Sequence, residues 1–114
     1  MISELEFYGG ARYSAVSVDV ELKARQPRVR SFLPSVNNLN IKLPVATNLI
    51  LGGPQFFLAN LHASYDMKLT DSGDTELATI GPEQIAVVTL VGNIETIGVW
   101  LVQVRDVLGI AQGA

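Results

Sequence analysis

From Tyr13 to Lys23 apolar and polar side chains alternate: Val16, Val18, Val20 and Leu22 fall on one face, Ser17, Asp19, Glu21 and Lys23 on the other. A period of two marks a strand with one face buried, so a single strand is predicted over 13–23. Before it, Leu5-Glu6-Phe7-Tyr8 reads as a short strand or arm ended by Gly9-Gly10, able to pair with a neighbouring chain. Arg28 to Leu33 also alternates, with Pro27 and Pro34 at its margins, which predicts an edge strand because proline cannot donate to a ladder. Leu39, Ile41 and Leu43 alternate with Asn40 and Lys42 up to Pro44, and Val45 to Leu51 reads as one helical turn or coil before Gly52-Gly53-Pro54.

The second half repeats this rhythm at close spacing. Gln55 to Asn60 is an apolar, aromatic strand, and Tyr65, Met67 and Leu69 alternate with Ser64, Asp66 and Lys68 in the next. The link Asn60-Leu61-His62-Ala63 is short enough for a hairpin. Asp71-Ser72-Gly73-Asp74 is a turn signal, Thr75 to Ile80 a returning strand, and Gly81-Pro82-Glu83-Gln84 another turn. Ile85 to Val91 is apolar on both faces, as expected of a strand in the middle of a sandwich or barrel. After Gly92-Asn93 and Gly98, Val99 to Arg105 is the last strand, with Trp100, Val102 and Val104 on its core face. No internal repeat is visible. The expected fold is all-β: one β-sandwich or jelly-roll-like barrel over 13–105, with an N-terminal arm over 1–12 and a tail over 106–114.

Composition sharpens this picture. The 114 residues suit one domain, and 48% hydrophobic against 17% charged residues is apolar for a soluble domain, so part of the surplus is expected to be buried against other chains. The run Ile85–Val91 is far short of a membrane-spanning helix, and Glu4 and Glu6 stand where a secretory signal would carry basic residues. There is no cysteine, hence no disulfide and no thiolate metal site. Residues 1–42 hold six Lys/Arg against four Asp/Glu, and residues 43–114 two against seven, a balance that argues against nucleic acid. Arg25, Arg28 and Arg30 form the one basic cluster, a candidate for docking an acidic partner or a solvated loop beside Pro27.

Chemistry is sparse. His62 is the only histidine, so it reads as a locally bonded loop residue and not as part of a triad or metal cluster. Asp71 and Asp74 lack the further ligands of a calcium loop and suit a β-turn. Asp66, Glu76, Glu83 and Glu95 are the carboxylates that would have to converge for glycoside hydrolysis, and their places at strand faces and turn tips favour solvation. Gly52-Gly53-Pro54 lacks the surroundings of a phosphate cradle. Trp100 reads as a core anchor, with sugar stacking the alternative, while Phe7, Tyr8 and Tyr13 are the candidates for an exposed aromatic patch. No catalytic, cofactor-binding or metal-binding residue is assigned.

In order and spacing, Leu43-Pro-Val-Ala, Gly53, Phe56-Phe-Leu-Ala-Asn60, Tyr65-Asp-Met-Lys-Leu-Thr-Asp71, Thr79-Ile-Gly-Pro82, Ala86-Val-Val-Thr-Leu90 and Gly98-Val-Trp100 resemble a β module of tailed-bacteriophage virion proteins. That module occurs in capsid decoration (cement) proteins and tail-fibre proteins. The resemblance spans residues 39–104 and departs at Gly81-Pro82, where the family usually has Pro-Gly. It implies a structural protein in many copies. For a chain this short it implies a decoration protein made in the host cytoplasm that binds the outside of the shell, with a capsid or other virion protein as partner and dimers or trimers of its own. Phe7, Tyr8, Tyr13, Arg25, Arg28 and Arg30 are the expected partner-binding residues, with neither membrane nor nucleic acid involved. A tail-fibre module that recognises host glycans is the alternative, and an intracellular enzyme subunit or regulator the third.

Overall fold

The computed structural model describes residues 11–23, 28–51 and 54–106. Among them are nine strands: β1 (Ala11–Val16), β2 (Val20–Glu21), β3 (Val29–Pro34), β4 (Leu39–Lys42), β5 (Pro54–Asn60), β6 (Met67–Thr70), β7 (Glu76–Ile80), β8 (Gln84–Gly92) and β9 (Val99–Asp106), with one short 3-10 turn at Ala46–Asn48. They form two sheets, one of five strands in the order β1-β3-β5-β8-β9 and one of four in the order β2-β4-β6-β7. The expected all-β sandwich is what the chain forms.

Its pairing is not that of a jelly roll, whose strands run antiparallel. The pairs β1–β3, β3–β5, β2–β4 and β4–β6 are all parallel, and antiparallel pairing starts only at β6–β7, β5–β8 and β8–β9. The first six strands alternate between the sheets, so the chain winds as a flattened coil of three turns and then folds back along one side. Ala11 pairs with Val29 and Val29 with Phe57, offsets of 18 and 28 residues. Turns of such unequal length leave no repeat in the sequence.

This winding corrects three expectations. The alternating run 13–23 is two strands in different sheets, because the chain bends at Ser17-Val18 and crosses over; Val18, expected on the buried face, is 69% exposed at the corner. The short link after Asn60 is likewise a crossing from one sheet to the other and not a hairpin. Third, β3 is paired on both sides. Its ladder with β5 ends at Phe32↔Asn60, so Pro34 lies where no donor toward β5 is required.

Between the sheets lies one apolar layer. Phe32, Phe56, Leu58, Ala86, Val88 and Leu90 of the five-stranded sheet meet Leu39, Ile41, Met67, Leu69 and Ile80 of the other, with Leu22, Leu43, Ala46 and Leu49 closing one end and Trp100, Val102 and Val104 packed against the layer. Trp100 thus lies on the core side, and its indole N–H donates to the Ile97 carbonyl at 2.7 Å.

The opposite end is tied by polar groups. Asn60 is fully buried; its amide donates to the carbonyls of Tyr65, Ile80 and Gly81 at 2.7, 3.1 and 3.1 Å, and its Oδ1 accepts from the His62 N–H at 3.0 Å. One side chain therefore joins the corner after β5 to the turn between β7 and β8. Gly98 has φ +73°, and a Cβ there would stand 2.5 Å from the Cβ of Ala46, so glycine is required on both grounds.

Candidate functional site

The sequence candidates for chemistry do not assemble into a reactive site. The Nδ1 of His62 accepts from the backbone N–H groups of Ser64 and Tyr65 at 2.9 and 3.0 Å, and its ring stacks on Tyr65 with centroids 4.0 Å apart, so it organises its own loop. Oδ1 of Asp71 accepts from the N–H groups of Gly73 and Thr75, both at 2.9 Å, which makes it the acceptor of a local turn. Asp74, in a left-handed conformation at φ 68°, pairs instead with Lys42 at 3.2 Å. Glu76 pairs with Lys68 at 3.7 Å on a sheet face. Asp66 and Glu83 lie at the Asn60 end and Glu95 beyond β8 at the other, so the four carboxylates do not converge. Among the described residues no group of three or more His, Asp or Glu side chains is placed to hold a metal ion, and no helix is long and apolar enough to cross a membrane.

The expected docking residues separate. Phe7, Tyr8 and Arg25 lie outside the described residues, as do residues 1–10 of the arm expected over 1–12 and 107–114 of the tail expected over 106–114, while Ala11, Arg12 and Asp106 belong to strands. Arg30 is only 6% exposed, its guanidinium 5.0 Å from the Phe32 ring centroid on the inner face of its sheet, so it is not offered to a partner. Burial, and after it the charge of Arg12, lowers its affinity for the proton below that of an ordinary arginine. Arg28 donates to the main-chain oxygen of Gln55 at 3.3 Å and to its Oε1, with the Phe56 ring 5.3 Å away. Arg30 thus follows its strand into the core wall and Arg28, in the bend before β3, is held half-buried against Gln55 and Phe56, which the spacing of basic residues did not show. Tyr13 alone stands on an open surface, 58% exposed.

That surface is the outer face of the five-stranded sheet. One cross-strand row holds Val29, Phe57, Val87 and Gln103; the next holds Tyr13, Ser31, Ala59, Ile85 and Arg105. Leu33 extends the face toward one end, and Thr89 beside Leu101 with Val91 and Val99 toward the other. Every outward position of β8 from Ile85 to Val91 is apolar or threonine, and the sequence signal was there: a strand without polar alternation. Such a strand was expected to have both faces buried. Here its second face is open to solvent, because no layer of the described residues packs on that side.

The outer face of the four-stranded sheet is built of Glu21, Asn40, Lys42, Lys68, Glu76 and Thr79. Glu76 serves the Lys68 ammonium, which also donates to Thr79 Oγ1 at 3.3 Å. Asp19 accepts from the backbone N–H and side-chain amide of Asn40 at 2.9 and 3.3 Å. The charged groups there have local partners, as on a solvated face, while Thr70 between Lys42 and Glu76 is buried with its Oγ1 unbonded among the described residues. This apolar sheet face is the candidate site. Compared with family models, curated proteins and solved structures, the chain matches none, so its own geometry carries the functional reading.

Proposed function

We propose that this protein is a non-catalytic assembly module that acts by docking the outer face of its five-stranded sheet onto protein. The observation that carries this reading is the near-absence of charged residues from that face: of its side chains from β1 to β9 only Arg105, on the edge strand, is of a charged type. Burying such a face costs little desolvation, while each large apolar side chain removed from water contributes about 1.5–3 kcal/mol when fully covered. The order of motifs across 39–104 adds the setting, a capsid decoration protein on the outside of a phage shell that stabilises it by contacts between subunits.

The test is co-sedimentation. Full-length protein incubated with undecorated phage capsids is expected to pellet with them, and Phe57→Lys, at the middle of the face, to remain in the supernatant. Wild-type protein that stays in the supernatant overturns the capsid setting. Binding by Phe57→Lys equal to wild type removes this face as the contact.

A further inference from the structure

We infer that the occupant of the apolar face is a second copy of this chain, packed sheet on sheet about a two-fold axis, so that the shell is gripped by two joined copies at once and Phe57→Lys loses capsid binding by losing the second copy; this rests on reading that face as a docking surface. Extent is the first argument. Five strands about 4.8 Å apart and about six residues long, at about 3.3 Å each, outline a face of roughly 20 by 24 Å, so two such faces together bury on the order of 1,000 Å². That reaches the size at which a specific interface forms. It stands at the lower end, where weak and transient contacts lie, so a reversible dimer is expected.

The second argument is that the face complements itself. Tyr13, Ser31, Ala59, Ile85 and Arg105 lie in one row across β1, β3, β5, β8 and β9. A two-fold axis parallel to the strands and passing over β5 reverses this row onto itself. Ala59 then meets Ala59 of the second copy, Ser31 meets Ile85, and Arg105 on one edge comes over Tyr13 on the other. In the neighbouring row Phe57 meets Phe57 and Val29 meets Val87. The one cation of the face thus finds the aromatic ring most exposed on it, twice per dimer, in a cation–π contact, and the apolar residues find one another. A face lacking this symmetry would leave Arg105 over aliphatic side chains. Among the described residues Arg105 has a 3.4 Å contact from Nη2 to Gln103 Oε1, and it is exposed.

Sedimentation equilibrium on the full chain over a concentration series into the high-micromolar range tests this. Wild-type protein is expected to pass from monomer to dimer and no further. Phe57→Lys, which places like charges across the two-fold, and Val87→Lys, which sets an unpaired ammonium over Val29 of the second copy, should each weaken the dimer at least tenfold while far-UV circular dichroism stays unchanged. Tyr13→Ala and Arg105→Ala should each weaken it severalfold, with the double variant weakened by less than the product of the two single effects, as expected for partners. Wild-type protein that is monomeric throughout, or that forms trimers, overturns the inference, as does dimerisation of Phe57→Lys at wild-type strength. A monomeric wild type whose capsid binding is nevertheless lost in Phe57→Lys removes the second copy but keeps the docking face. A monomeric wild type with capsid binding unaffected by Phe57→Lys removes both.

Discussion

The two outer faces of this sandwich share one core and one chain yet differ in kind. On the four-stranded sheet, Glu21, Lys42, Lys68 and Glu76 stand in alternation with the buried Ile41, Met67 and Leu69, the pattern of a sheet that faces water on one side. On the five-stranded sheet, Phe57, Ile85 and Val87 stand on the water side in alternation with Phe56, Ala86 and Val88, which are fully buried. Folding the monomer requires apolar residues only on the inner sides. The outer set of β5 and β8 is therefore surplus to the layer between the sheets, and under the proposed function it is this set that docks. The apolar excess of the composition thus has a location.

Changes to the layer that both sheets share should have the largest effect. Phe56→Ala empties a fully buried site beneath both faces and is expected to cost about 3–5 kcal/mol of unfolding free energy, measured by urea titration. Asn60→Ala should follow at about 2–4 kcal/mol, because it strands three carbonyls at the corner end while leaving both faces intact. The smallest effects on stability are expected from exchanging the character of the faces. Val87→Lys and Lys68→Val should each shift unfolding by no more than about 1 kcal/mol, since neither position lies in the core. Their effects on ammonium sulfate solubility should be opposite, Val87→Lys raising it and Lys68→Val lowering it. A large loss of stability in Val87→Lys would mean that the outer face supports the monomer, and the distinction between the faces would fail.

Much of the local structure is legible in the sequence. The strands over 39–42, 54–60, 67–70, 76–80, 84–92 and 99–106 follow from alternation and from turn residues whose side chains do what their chemistry suggests: Asp71 accepts from its own turn, and Trp100 faces the core. The site was only half legible. The doubly apolar run Ile85–Val91 was plain, but which of its faces stays open depends on what packs there. The basic cluster misled for a related reason: residues 28 and 30 alternate like any strand, so Arg30 goes to the inner side with Phe32, and charge spacing carries no information about which side that is.

Partner strand and sheet were beyond the sequence. Alternation continues unchanged through Val16, Val18 and Val20 because a corner between two sheets preserves which side is apolar and needs no breaker. The same two-residue period serves a parallel and an antiparallel neighbour alike, and coil turns of 18 and 28 residues leave no repeat to find. The sequence by itself determined that this chain forms short strands around a single apolar layer, since period and turn chemistry are local properties. Only the tertiary structure decided that the first six strands wind in parallel between two sheets, and that the described residues leave the second apolar side of β5 and β8 uncovered, because both depend on which distant segments come to lie beside one another.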